Sequence, residues 1–293
     1  MGRRRRLGIK EVCPGSIRAW AQAIVHNNTV QFRDLVYQYY ESHGRVLPWR
    51  LTWDPYHIFV SEVMLQQTPV ERVLVKYEPF IRLFPDFATL AASPLDAVLR
   101  AWQGLGYNRR ALSLKKAAVI VMDEFSGSLP ASTAALATLP GIGPATAASI
   151  AAFAFNAPVL FIETNIRTVF IHFFFEGREK VRDREILPLV AETLDRCDPR
   201  GWYYALMDYG TMLKKEGQKA HRKGAGYRKQ TPFQGSDRQV RGAILRLLVE
   251  GGGLSEAALV EILGAPGEKV RANLSDLARE GFVRESEEGY TIA

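Results

Sequence analysis

Apolar residues recur at three- and four-residue steps from Asn28 to about Tyr227, as in DPYHIFVSEVMLQQTPVERVLVKYEPFIRLF (54–84) and PLDAVLRAWQGLGYNRRALSLKKAAVIVMDEF (94–125). That period is the mark of amphipathic and buried helices, and no alternating strand pattern interrupts it, so the body of the chain is predicted to be all-α. Helix starts are expected at Asp54-Pro55, Ser93-Pro94 and Pro140-Gly141, with Pro144 in the first turn of a helix rich in small residues. Around RKGAGYRKQTPFQGSDRQ (222–239) the pattern gives way to a polar, basic linker. Three short helical segments follow from Asp237. Two short runs about a Glu-Glu-Gly turn in FVRESEEGYTIA (282–293) then suit a hairpin. Three helices and a small wing suggest a winged-helix-like module.

Composition narrows the classes. The 293 residues are 47% hydrophobic, ample for a core and for two domains. No run approaches the ~18 apolar residues of a membrane span. The start, MGRRRRLGIK, lacks the apolar region of a secretory signal. Cys13 and Cys197 are the only cysteines, which argues against a disulfide framework or a structural zinc and for a reducing cytoplasm. The net charge of +7 favours a polyanionic partner. The tail from Ser236 has 7 basic and 10 acidic residues, so residues 1–235 carry +10 and the basic surface belongs to the larger part of the chain.

Candidate chemistry sits in three stretches. In LPGIGPATAASI (139–150), Gly141 and Gly143 precede a helix whose free amides and dipole suit a phosphate, though a tight turn between helices accounts for a lone G-x-G equally well. No Lys follows in P-loop register and no strand precedes it, which excludes the usual nucleotide-binding loops. In VSEVMLQQT (60–68), Glu62 lies among Val60, Val63 and Met64. If it is desolvated there, its pKa rises and it stays protonated near neutrality; on a solvent face it would be ordinary. In FIETNIRTVFIHFF (161–174), Glu163 precedes a helix and is a cap or a second functional carboxylate, with Asn165 two residues on. A protonated acid paired with an ionised one is the equipment for cleaving glycosidic bonds.

LPWR, DPYHIFVSEVMLQQTPV, AWQGLGYNRRA, LPGIGPATAASI and IETNIRTV, in this order, resemble the helix-hairpin-helix DNA glycosylases, and among them the MutY-type adenine DNA glycosylases. The resemblance spans roughly Leu47 to Gly210. It implies a two-lobed all-helical fold over 28–232, with a six-helix lobe at about 54–158 and a second lobe from 28–53 plus 159–232. A basic N-terminal segment (1–27) and the winged-helix-like module (233–293) flank it. It implies base excision repair: a monomer that flips a mismatched or damaged base out of double-stranded DNA and hydrolyses its N-glycosidic bond. By the same resemblance Glu62 is the general acid and Glu163 holds the second catalytic position. Gln67, beside Gln66, fills the vacated stack, and Tyr107 is the wedge. Gly141, Gly143 and Thr146 belong to the phosphate-gripping hairpin, often helped by a monovalent cation. Trp49, Arg50, Ala145, Asn165 and Tyr204 line the base pocket.

Four departures from the family pattern shape the expectation. Glu163 replaces an Asp. Ala145 stands where lyase-active relatives carry a Schiff-base Lys, so the reaction is expected to stop at an abasic site. Tyr204 replaces a Glu or Gln that reads adenine, which leaves mispaired thymine, uracil or hypoxanthine beside adenine opposite guanine or 8-oxoguanine. The cysteines of a four-iron cluster are absent, so neither a cluster nor any other metal cofactor is expected. A basic loop with Lys214, Lys215, Arg222 and Lys223 occupies that place and is expected to grip phosphates. A DNA-binding protein without catalysis on the same fold is the reading from another class.

Overall fold

The structure, a computed structural model, describes residues 30–217, 223–225 and 232–293; the basic segment 1–27 and Arg222 lie outside the described residues. It is helical almost throughout, with one small antiparallel hairpin, and divides into two compact units. Among the described residues no helix is long and apolar enough to cross a membrane.

The larger unit comprises Arg45–Glu163, Cys197–Arg200 and Gly226–Ala293. It opens with a 3-10 turn at Pro48–Arg50, followed by α2 (Pro55–Leu65), α3 (Val70–Leu83), α4 (Phe87–Ala92), α5 (Leu95–Trp102), α6 (Arg109–Glu124), α7 (Thr133–Leu136) and α8 (Pro144–Phe155). The first helix among the described residues, α1 (30–43), belongs to the other unit. Asp54 fixes the start of α2: its Oδ1 accepts from the Tyr56 amide at 2.8 Å, and Pro55 fills the first helical position. α2 and α8 are buried nearly all round, as their apolar sequences require. The alanines of α8 let α2 lie close along it, and this pairing builds the floor under Glu62. α8 begins at Pro144, whereas Pro140-Gly141, read from sequence as a helix start, lies in the turn before it. Gly141 is the reason: its φ of +78° is outside any helix.

The same unit includes the C-terminal module: α12 (Asp237–Gly251), α13 (Glu256–Leu263), α14 (Gly267–Glu280) and the hairpin β1 (Val283–Ser286) to β2 (Gly289–Ile292). The register pairs Val283 with Ile292, and a bridge from Leu254 to Tyr290 adds a third extended segment, so three helices and a wing form as the pattern suggested. The module is bound to the helical body. Arg109 on α6 makes a two-pronged ion pair with Glu280, which also receives Arg241 at 2.7 Å, and the Arg100 guanidinium donates to the Val249 carbonyl. Arg109 holds the Glu280 carboxyl below its usual pKa.

The smaller unit comprises residues up to Gly44, Thr164–Arg196 and Gly201–Ala225. Here α1, α9 (Thr164–Phe174), α10 (Asp183–Thr193) and most of α11 (Pro199–Lys215) surround an aromatic core. Phe32 meets Phe170 at 5.4 Å and Trp202 at 5.8 Å. Where α11 passes α9 only glycine fits: a Cβ on Gly210 would stand 2.5 Å from the Asn165 carbonyl oxygen.

Candidate active site

Glu62 occupies the middle of α2 with Ser61, Val63 and Met64 buried about it. Its own side chain is only half-buried, so a reactant can still touch a carboxyl whose hydration the surrounding protein largely removes. That desolvation raises its pKa to about 7. A hydrogen bond from Ser149 and the charge of Arg50 oppose the rise, and the neighbouring carboxylate of Glu163 adds to it. Ser149, on α8, places its Oγ 2.6 Å from Glu62 Oε2. Two acids thus lie close enough to couple, one of them held near the midpoint of its titration at neutral pH, beside one arginine. A carboxyl in that state can give up a proton while its neighbour remains ionised.

Arg50 comes from the 3-10 turn, which a second arginine braces. Arg200 is buried, donates to the carbonyls of Arg50 (2.9 Å), Thr52 (2.6 Å) and Phe153 (2.9 Å), and lies 3.9 Å over the Trp53 ring. Trp49, from the same turn, is only 3% exposed and packs edge-on against Tyr77 at 5.3 Å. In this conformation it supports the turn and presents no open stacking face.

The hairpin stands at the N-terminus of α8. Gly143 is the N-cap, no side chain caps it, and Pro144 follows, so the first-turn amides are left for an external acceptor. Gln66 braces the hairpin from the end of α2, its Nε2 donating to the Gly141 carbonyl (3.2 Å) and to Thr146 Oγ1 (3.3 Å). Ala145 is exposed in the first turn of α8 and carries only a methyl group. The two glycines differ in what they require. Gly141 needs its positive φ, and a Cβ there would lie 2.8 Å from Ser113 Cβ; a Cβ on Gly143 would meet nothing within 4 Å. Gly141→Ala should therefore destabilise the fold by about 1–3 kcal/mol. Gly143→Ala should leave the melting temperature within about 2 °C while weakening DNA binding about tenfold or more, because its methyl faces the space an anion would occupy. Thermal melts and a binding titration check both, and equal destabilisation by the two variants would contradict the distinction.

Gln67 and Tyr107 are exposed, and both hold left-handed backbone conformations, φ +54° and +49°, which side chains other than glycine rarely adopt. Each directly follows a carbonyl that Arg110 holds. Its buried guanidinium donates to the carbonyls of Val63, Met64 (2.7 Å) and Gln66 (2.6 Å) at the end of α2, and to those of Leu105 and Gly106 (3.1 Å) just before Tyr107. It also reaches Thr68 Oγ1 at 2.9 Å and lies 5.5 Å from the Tyr107 ring centroid. Burial pushes its pKa down to about 10, still charged at neutrality. The sequence reading missed this residue. Its signal was weak: a second consecutive arginine at the foot of a helix, which looks like ordinary surface charge.

The remaining expected residues lie in the smaller unit. Tyr204 is 6% exposed within the core of α11. Asn165, at the start of α9, receives Lys214 Nζ on its Oδ1 at 2.6 Å, so this lysine braces α9 against α11 and is not simply solvated loop charge. Lys215 is exposed, and Lys223 lies 3.7 Å from Glu179. A hollow of about 450 Å³ in the larger unit, lined by Leu95, Leu112, Lys115, Lys116, Val119 and Pro140 among others, contains none of the expected site residues.

With this geometry in place, comparison with known proteins is decisive at the level of family. The model of the HhH-GPD superfamily base excision DNA repair proteins matches residues 60–248. The chain belongs to that superfamily. It is 34% identical over 274 residues to the adenine DNA glycosylase of Mycolicibacterium smegmatis, an alignment covering 86% of this chain and 92% of that protein. It is 36% identical over 190 residues to the adenine DNA glycosylase of Buchnera aphidicola, covering 63% of this chain but about half (53%) of that longer protein. Among solved structures, a thermostable thymine-DNA glycosylase superposes with a TM-score of 0.58 at 23% identity, over 66% of this chain and 94% of that one. An endonuclease III trapped on DNA superposes with 0.54 at 17% identity, over 64% and 85%. These two likenesses show a shared fold.

The HhH-GPD match begins within α2, just before Glu62, takes in α6 and α8 and ends within α12, so most of the helix that opens the C-terminal module lies in the family's span. A four-iron cluster of the kind found in relatives does not fit this member's donor set. It has two cysteines, Cys13 and Cys197, and none in the segment after α11 where the ligands would stand. Among the described residues, no group of three or more His, Cys, Asp or Glu side chains is placed to hold a metal ion.

Proposed function

We propose that this protein is a monofunctional DNA glycosylase of base excision repair that removes mispaired adenine, opposite guanine or 8-oxoguanine. The observation that carries the proposal is the state of Glu62: a half-buried carboxyl with a pKa of about 7, coupled to Glu163 and Arg50, on a helix packed against the hairpin helix. The names of the relatives support adenine as the base. The chain acts as a monomer, and Tyr107 and Gln67 hold the duplex open while the flipped base enters a pocket. The cost of flipping, a few kcal/mol, is met by such wedge and pocket contacts. The amides at Gly141–Thr146, with a monovalent cation when bound, grip the backbone phosphate.

Glu62 then transfers its proton to a ring nitrogen of the base as the C1′–N bond breaks, and the bonding pair leaves with the base. Glu163 stabilises the positive charge on the sugar, and water adds to C1′ with loss of a proton. Ala145 has no amine with which to form an imine, so an abasic site is the product. Because the acid must be protonated, the single-turnover rate should be flat below pH 7 and fall about tenfold per unit well above it.

A panel of end-labelled duplexes carrying A:8-oxoG, A:G, T:G, U:G and hypoxanthine, incubated under single-turnover conditions with and without alkali, tests the whole reading. Cleavage at adenine only after alkali is the expected result. Cleavage without alkali would refute the monofunctional assignment, and excision of thymine, uracil or hypoxanthine alone would refute adenine. An uncut panel would leave a DNA-binding protein without catalysis.

A further inference from the structure

The sequence of α8 after Pro144, ATAASIAAFAF, is alanine and large apolar residues apart from two hydroxyls, Thr146 and Ser149. Ser149 is buried, 4% exposed, and its Oγ has two oxygen neighbours: Glu62 Oε2 at 2.6 Å and the Thr146 carbonyl at 3.0 Å. A serine hydroxyl has one proton, and a carbonyl only accepts. Both contacts are therefore hydrogen bonds at once only when Glu62 supplies a proton of its own, donating to Ser149 Oγ while Ser149 donates to Thr146. When Glu62 is ionised, the Ser149 proton must turn to the carboxylate; the Thr146 carbonyl then keeps the amide four residues on, as helix geometry provides. No heavy atom has to move between the two arrangements.

We propose that Ser149 is a positioning residue for the glycosidic step: by turning its hydroxyl from Thr146 to Glu62, it stabilises the carboxylate that Glu62 becomes on giving its proton to the base. This rests on the reading of Glu62 as the acid. The direction follows from hydrogen-bond strengths. A bond to an ionised acceptor is roughly twice as strong as one between neutral groups, so Ser149 favours the state after proton transfer over the state before it. The charged surroundings of Glu62 give this bond its importance. Arg50 from the 3-10 turn acts in the same sense, while Glu163 and burial act against ionisation. The titratable groups reaching α2 from α6 and α3, Arg110 and Tyr77, bond to its backbone at Val63, Met64 and His57. From α8 the hydroxyl of Ser149 is the group that meets the carboxyl.

The test uses Ser149→Ala and Ser149→Thr in the full chain, with two readouts. The first is the infrared C=O band of the protonated carboxyl across pH, assigned to Glu62 by its loss in Glu62→Gln. The second is single-turnover excision from an A:G duplex across the same range. Ser149→Ala should move the Glu62 midpoint up by about one pH unit and lower the acid-side excision rate about tenfold. Ser149→Thr, which keeps the hydroxyl, should restore both. An unchanged or lowered midpoint in Ser149→Ala, or an unchanged acid-side rate, would overturn the proposal. An infrared shift in the expected direction, with parent protein that cuts no duplex, would instead overturn the glycosylase reading.

Discussion

Glu62→Gln should abolish excision, by about 10³-fold or more in single-turnover rate, while duplex binding stays within about threefold of the parent. Glutamine keeps the shape of the acid and its contact distance to Ser149 but has no proton to give. The same variant should be more stable than the parent above neutral pH. With the folded-state pKa of Glu62 at about 7 against an ordinary 4.5, the folded protein binds a proton between these values that the unfolded chain has released. Parent stability therefore falls as pH rises from about 4.5 to 7 and stays at the lower level beyond. The substituted glutamine does not titrate, so the variant's advantage is absent near pH 4.5 and complete by about pH 8, on the order of 2 kcal/mol for this half-buried group. Thermal melts at pH 5 and pH 8 check the sign. A variant less stable than the parent at pH 8 would mean that Glu62 is an ordinary solvated carboxylate.

Arg110→Lys should be the most damaging conservative change outside the acid pair. One ammonium cannot replace a guanidinium that spans the end of α2 and the loop before Tyr107, and several buried carbonyls would lose their donor. A stability loss of about 2–4 kcal/mol is expected. The left-handed conformations of Gln67 and Tyr107 cost energy that the surroundings must offset, and Arg110 supplies much of that offset. Released from it, the two loops should relax, and base flipping should suffer more than binding. The fluorescence increase of 2-aminopurine at the target position should drop about tenfold at saturating protein, while the dissociation constant changes less. A melting temperature and flipping signal matching the parent would show that the two loops are set by other contacts.

The helices and the setting of Glu62 have local causes. Asp54-Pro55 announces α2, and Val60, Val63 and Met64 around Glu62 admitted either a desolvated acid or one on a solvent face; the structure half-buries it. Gly141 and Pro144 mark a turn into a helix, although the reading put one helix start at Pro140, ahead of the positive φ that prevents it. The C-terminal helices and wing follow from Ser caps and the turn at Gly289. What the sequence hid are contacts between residues far apart along the chain. Ser149 meets Glu62 across 87 positions, and Arg200 braces the Arg50 turn across 150. Nothing about an arginine in DPRGW or a serine among alanines states what it will touch. Lys214 is the converse: it belonged to a basic run and reads as phosphate-binding charge, yet the amide oxygen of Asn165 engages it.

Whether Glu62 delivers the proton is decided most directly by measuring excision rate and Glu62 protonation on the same pH axis. The expected result is a single-turnover rate on the A:G duplex that falls above pH about 7 in step with the protonated fraction of Glu62, and that vanishes in Glu62→Gln. A rate that ignores pH between 6 and 9, or an alkaline limb that survives in Glu62→Gln, would contradict it.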